Sequence, residues 1–278
     1  MLRSLSLATL ASLAAGCGDA APADDAAPAD TAAPGPGLPA AIAGAGGELE
    51  GADLHYVEGD TLTTGYLALP GGAGPFPALV IIHEWNGLQD RVRQLADDFA
   101  SEGYVTLAAD LFHGRTGSNR EENMALVQEA QADQARMISN LNAAVAYLKG
   151  RSDVTGRVGA MGWCFGGGVA LSFGLDGDNH EATAIFYGRL VDDPEVVARL
   201  DHEVYGTFAA LDQGPSPESV AAFEAALLAA GIENDLHIYD DVGHGFWLRV
   251  DEDPEVRTAP AEDAWQRLKA YLERTLGS

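Results

Sequence analysis

Hydrophobic positions along this chain follow two repeats. ALVIIHE (78–84), YVTLAAD (104–110), RVGAMGW (157–163), TAIFYG (183–188), VYGTFAAL (204–211) and DLHIY (235–239) are short, nearly continuous apolar runs, the pattern of strands buried on both faces. Between them, apolar residues recur at three- and four-residue spacing. Leu88, Val92, Leu95 and Phe99 form one such set, Met137, Ile138, Leu141, Val145 and Leu148 a second, Val220, Phe223 and Leu227 a third, and Trp265, Leu268 and Leu272 a fourth. Each set lies on one face of a helix. The spacing predicts a helix over 88–101 and a long helix opened by the Ser118–Glu121 capping pair and running to Lys149. A further helix is entered at Ser216-Pro217 and closed by Gly231, and a last one ends the chain. Strand followed by helix, repeated, predicts an α/β fold with a mostly parallel central sheet and helices on both faces. The earlier runs LHYV (54–57) and TLTTGYLALP (61–70), joined by Glu58-Gly59-Asp60, add an antiparallel hairpin at one sheet edge.

Neither repeat holds over the first 47 residues. Residues 1–16 read as an export signal: Arg3 supplies positive charge, Leu5 to Leu13 an apolar run too short to span a bilayer, and Ala14-Ala15-Gly16 small residues before Cys17. The string LAAGC resembles the lipobox of bacterial lipoproteins, which makes Cys17 the expected lipid-bearing residue. From 17 to 47 the sequence is mostly Ala, Pro, Asp and Gly, too poor in large apolar side chains to offset the entropy of ordering, and it reads as a disordered tether. The domain is then expected over 48–278. A protein of this plan crosses the inner membrane, resides in the periplasm or cell envelope, and touches the membrane through its anchor only.

A formal charge of −26 repels phosphate backbones and anionic headgroups, which argues against a nucleic-acid partner. Two cysteines, Cys17 and Cys164, are too few for a disulfide framework. The second stands in Gly162-Trp163-Cys164-Phe165-Gly166, the cysteine counterpart of the G-x-S-x-G nucleophile elbow of α/β-hydrolases. The context agrees, because a strand ends at Trp163 and FGGGVALSFGL (165–175) begins a helix. A thiol at a helix N-terminus feels partial positive charge that favours the thiolate, and the Phe165 amide would face a developing oxyanion. Taken alone, Cys164 could equally be a small buried residue beside a glycine-rich packing site. Its partners decide the matter: an acid and then a histidine follow in the order these hydrolases use. Asp212 sits just past an apolar strand, and His244 lies between two glycines after another. Asp240 and Asp241 are weaker candidates for the acid, since a short loop would not easily fold them back onto the ring. His83-Glu84 has no second histidine at metal-ligand spacing, so zinc is not expected. His55, His113, His180, His202 and His237 read as surface or loop residues.

VIIHEWNGL, EGYVTLAADLFHGR, VGAMGWCFGGG, IFYG, ALDQGPSPESV and YDDVGHGF together resemble the dienelactone hydrolase family, over about Leu79 to Leu272. The resemblance implies an α/β-hydrolase fold, hydrolysis of a small-molecule ester or lactone, and no metal or organic cofactor. It implies that Glu84 contacts the nucleophile and helps control its ionisation, and that Trp85 gives the second oxyanion N–H beside that of Phe165. The family's two carboxylate-binding arginines do not align cleanly. Counting back from Cys164 puts Glu122 near the first, with Arg120 two residues off, and Leu248 at the second, with Arg249 beside it. If neither Arg120 nor Arg249 reaches the pocket, neutral esters or lactones should be preferred. Trp85, Trp163, Phe165 and Trp247 flank these positions and suggest an apolar or aromatic acyl group, with Trp163 a candidate substrate contact. The leading reading is a Cys164-His244-Asp212 hydrolase working through a thioester acyl-enzyme. The alternatives are a thioesterase or peptidase on the same residues, a non-catalytic envelope binding protein, and a redox-sensing thiol.

Overall fold

The computed structural model describes residues 37–277; the stretch read as an export signal, Cys17 and the stretch read as a tether up to residue 36 lie outside the described residues. Eight strands form one sheet in the order β1-β2-β4-β3-β5-β6-β7-β8. At one edge β1 (Ala52–Leu54) and β2 (Gly65–Ala68) pair antiparallel with each other, and β2 pairs antiparallel with β4 (Val105–Ala109). An antiparallel pair does form this edge, but its first strand precedes the expected run 54–57 and shares only Leu54 with it. The strands of the pair are shorter and its loop longer than the apolar runs suggested.

From β4 onward the sheet is parallel, through β3 (Phe76–Ile82), β5 (Val154–Trp163), β6 (Ala182–Phe186), β7 (Val204–Ala209) and β8 (Asn234–Tyr239). Because successive side chains on a strand face opposite ways, β3 sends Leu79 and Ile81 into one core layer and Ala78, Val80 and Ile82 into the other. The first layer is closed by α1 (Asp90–Ser101) and the long α7 (Pro254–Leu276), through Val92, Leu95, Phe99, Trp265 and Leu268. The second is closed by α2 (Arg120–Gln131), α3 (Gln134–Lys149) and α4 (Phe165–Asp176), while the short α5 (Pro194–Val197) and α6 (Pro217–Ala230) cover β6 to β8. Among the described residues no helix is long and apolar enough to cross a membrane.

Two segments differ from the sequence-based expectation. The long helix to Lys149 is two helices, α2 and α3, separated at Ala132-Asp133, where the Asp133 carboxylate accepts from the Arg136 amide at 3.0 Å and starts a new helix. The cap of α2 is Asn119 rather than Ser118; its side chain accepts from the Glu122 amide, and the Glu122 carboxylate accepts from the Ser118 amide and hydroxyl. The capping pair is displaced by one residue, and its carboxylate returns to the amide before the cap rather than to the cap's own. Residues 38–42, assigned to the tether on composition, pack into the first core layer, with Leu38, Ala41 and Ile42 buried. Their backbone is pinned by Asp98, which accepts from the Ala41 amide at 2.8 Å, and by Arg91, which donates to the Ala41 carbonyl at 2.9 Å.

Candidate active site

The strand order reverses at β3 and β5, one chain direction leading to β4 and the other to β6. In an open parallel sheet, that is where a crevice forms beyond the carboxyl ends of the strands. Glu84 follows β3 there, and Cys164 ends β5. Asp212 follows β7 and His244 follows β8 on the same rim.

Cys164 is held at φ 56° and ψ −114°, a conformation that costs a side-chain-bearing residue energy and persists only where the surroundings enforce it. Its amide donates to the Phe186 carbonyl at 3.0 Å. Two glycines make the turn possible. A methyl group at Gly162 would overlap the Gly166 carbonyl, and one at Gly166 would overlap the carbonyls of Ile82 and His83, so only glycine lets the first turn of α4 lie on the end of β3. The Phe165 amide, at the open first turn of α4, and the Trp85 amide, just past Glu84, make no backbone hydrogen bond outside helix and sheet among the described residues. Both are free to face a ligand.

The Asp212 side chain is buried, accepts from the Gly214 amide at 2.9 Å through one oxygen, and meets His244 Nδ1 at 2.7 Å through the other. Burial works against ionising Asp212, and these hydrogen bonds outweigh it, holding the carboxyl below its ordinary value. Burial likewise disfavours a charged His244, yet the bond to Asp212 and the influence of Cys164 push it up to about 10. Asp240 and Asp241 do not take the ring; Asp212 does.

The dienelactone hydrolase family model matches residues 63–276, more than three quarters of the chain. The chain belongs to the dienelactone hydrolase family. Membership makes it a hydrolase of carboxylic esters or lactones. A Methylorubrum extorquens protein provisionally named carboxymethylenebutenolidase is 30% identical over 228 residues, which is 77% of this chain and 78% of that one. Protein usf of Aquifex pyrophilus is 26% identical, covering 81% of this chain and 99% of the relative. A dienelactone hydrolase-like promiscuous phosphotriesterase from metagenomic libraries superposes with a TM-score of 0.72 at 21% identity, over 82% of this chain and 98% of that structure. Such a likeness speaks for the fold alone.

Set against the family resemblance, the remaining candidates divide. Glu84 is buried, which raises its carboxyl above the ordinary range against the charges of Arg249 and His244. Arg249 Nη2 lies 3.5 Å from Glu84 Oε1, which has no hydrogen-bond partner, and Arg249 Nε is 3.9 Å from Glu252. Arg249 therefore sits at the site, engaged with Glu84. Arg120 does not: it is exposed at the first position of α2 and is absent from the cavity that opens at Cys164. Trp163 is not a substrate contact either. It is fully buried and stacked on Trp247 at 5.7 Å between ring centroids, because strand alternation turns it into the α1/α7 layer. Trp247 is buried with it, while Trp85 and Phe165 stay half-buried at the rim. His83 is a core residue that contacts the Glu84 carbonyl and accepts from the Leu111 amide. His180, read as a surface residue, is buried and stacked on Phe173 at 4.3 Å.

One site residue escaped the sequence reading. Tyr187 is buried at φ 40°, its ring edge-on to His244 at 5.0 Å, and its hydroxyl has no partner. The only signal in the sequence was its place as the third residue of IFYG, one residue past β6.

Proposed function

We propose that the chain hydrolyses small esters or lactones through a Cys164 thioester, with His244 as proton carrier and Asp212 as its orienting acid. The observation that carries this reading is the strained backbone of Cys164 at the β5–α4 turn beside a buried Asp212 bonded to His244 Nδ1 at 2.7 Å. A packing cysteine needs neither.

In the proposed cycle, the Cys164 thiolate forms a C–S bond to the ester carbonyl, and the Trp85 and Phe165 amides stabilise the oxyanion. The C–O bond then breaks, and the departing alkoxide takes the proton from His244. His244, now neutral, removes a proton from water as the hydroxide adds to the thioester carbonyl. Collapse releases the carboxylic acid, and the thiolate is restored opposite a protonated His244. Asp212 fixes the tautomer throughout. In this scheme Glu84, whose carboxyl burial raises above its ordinary range against the charge of Arg249, exchanges a proton with the thiol.

Hydrolysis of a panel of aryl esters and lactones by the purified protein, wild type against Cys164→Ala, tests the reading: activity should vanish with the thiol. Export and lipidation at Cys17 are proposed on the LAAGC pattern. Mass analysis of the mature N-terminus should find an acylated Cys17, and a free thiol there would overturn the anchor.

A further inference from the structure

The cavity that opens at Cys164 has a volume of about 570 Å³ and does not stop at the nucleophile. Its floor is one face of α4: Phe165, Gly168, Val169, Ser172, Leu175 and Asp176 line it, at the three- and four-residue spacing of a single helical stripe. The stripe runs the length of the helix, 12 residues or about 18 Å. Gln134 and Met137 of α3 form one wall, and Leu190, Val191 and Val196 the other. The second wall is pressed against the helix where it begins, since a methyl group at Gly188 would overlap Gly167 and one at Gly168 would stand 3.2 Å from Arg189 Cβ.

We infer that this trench receives the acyl part of the substrate and selects a neutral, medium-chain acyl group. The inference rests on the hydrolase reading above, and three observations carry it. The trench is continuous with Cys164 and Phe165, so a chain bonded to the thiol through its carbonyl, with the oxyanion on the Phe165 amide, enters it directly. His244 does not line it. The leaving oxygen must stay within reach of the imidazole that protonates it, so the alcohol departs on the other side and the acyl chain is what remains to fill the trench. The third observation is charge. In a chain of net charge −26, the trench is balanced: Asp176 is paired with Arg199 at 2.5 Å, and Asp192 is matched by Arg189. Polar and apolar side chains share the lining, with Met137, Val169, Leu175, Leu190 and Val196 supplying the apolar surface, and this surface without net charge fits a neutral chain better than an anion.

The test uses 4-nitrophenyl acetate, butanoate and octanoate with the wild-type enzyme and with two variants that narrow the trench from opposite sides, Ser172→Trp on the floor and Gln134→Trp on the exposed end of α3. The reporter is the ratio of kcat/KM for octanoate to that for acetate, so a loss of folded protein cancels. In the wild type the ratio should exceed tenfold, because each buried methylene adds to binding. Both tryptophan variants should lower it at least tenfold, through KM for octanoate. Octyl acetate against ethyl acetate probes the other side, and a chain-length gain there that the same variants abolish would overturn the acyl-side placement. A flat or falling profile from acetate to octanoate in an active enzyme, or a ratio indifferent to both tryptophans, would overturn the inference and leave the hydrolase reading standing. Ester hydrolysis that survives Cys164→Ala would overturn both.

Discussion

Two buried carboxylates stand on the rim that carries Cys164, Asp212 bonded to His244 and Glu84 beside Arg249, and their surroundings drive them apart. Asp212 is buried but well served: the Gly214 amide bonds one oxygen and His244 the other, and its ionised form is favoured. Glu84 is buried and poorly served, with Arg249 Nη2 at 3.5 Å from an oxygen that no hydrogen bond satisfies, and its neutral form is favoured. Like residues with opposite protonation tendencies are the signature of divided labour at a site. On this account Asp212 is a fixed charge that orients an imidazole, and Glu84 is a proton reservoir beside the thiol.

The comparison breaks first at Asp212. Asp212→Asn preserves shape and removes the charge, and should cut kcat about 10⁴-fold, the scale of losing the acid that fixes a catalytic tautomer. Steady-state rates on 4-nitrophenyl acetate check it, and a loss under tenfold would mean another group orients His244. Glu84→Gln should cost about 10²-fold, concentrated in acylation, because a group that exchanges a proton with the thiol is lost while His244 and the oxyanion amides remain. Single-turnover measurements separate that step from deacylation. An unchanged acylation rate would make Glu84 a packing residue.

The same pair should then part company in stability. Asp212 has a folded pKa below its unfolded value, so its stabilisation is present above about pH 3.9 and is lost as pH falls through the folded value; Asp212→Asn should cost about 2 kcal/mol at neutral pH. Glu84 has a folded pKa above its unfolded value, so the fold loses stability as pH rises past about 4.3, and Glu84→Gln should gain on the order of 1 kcal/mol at pH 7. Urea midpoints of the two variants at pH 5 and pH 7 check the signs. Both variants shifting the same way would erase the contrast. The smallest effect belongs to His244. Its pKa is raised from about 6.5 to about 10, so its contribution is full below about 6.5 and fades as pH rises toward 10. With the side chain 40% exposed, that contribution should stay under about 1 kcal/mol. The more direct readout is the ring's NMR titration, which should shift downward in Cys164→Ala as the Cys164 sulfur that favours the charged ring disappears.

What the sequence made legible were features whose cause is local. Gly162 and Gly166 bracket a turn that any larger residue would block, and Pro217 and Gly231 mark the ends of α6 by backbone preference alone. The order Cys164, Asp212, His244 placed three residues on one rim because each follows a parallel strand. What stayed hidden depended on partners. The break between α2 and α3 turns on one carboxylate, Asp133, in a run of polar residues where the apolar spacing carries no mark. Leu38, Ala41 and Ile42 look like tether until α1 supplies Asp98 and Arg91 to hold them. Trp163 adjoins the nucleophile in sequence, yet a strand turns neighbours to opposite faces, and proximity along the chain was read as proximity in space. Tyr187 matters through a contact with a residue 57 positions away, which nothing local announces.

The most direct test of the central claim is the intact mass of the protein quenched within milliseconds of mixing with 4-nitrophenyl octanoate, followed by peptide mapping. Asp212→Asn, slow to deacylate, gives the intermediate time to accumulate. The account predicts one octanoyl group per chain, on Cys164 and labile to hydroxylamine, as a thioester is. Turnover at full wild-type rate with no acyl group on Cys164, or with the acyl group on another residue, would contradict it.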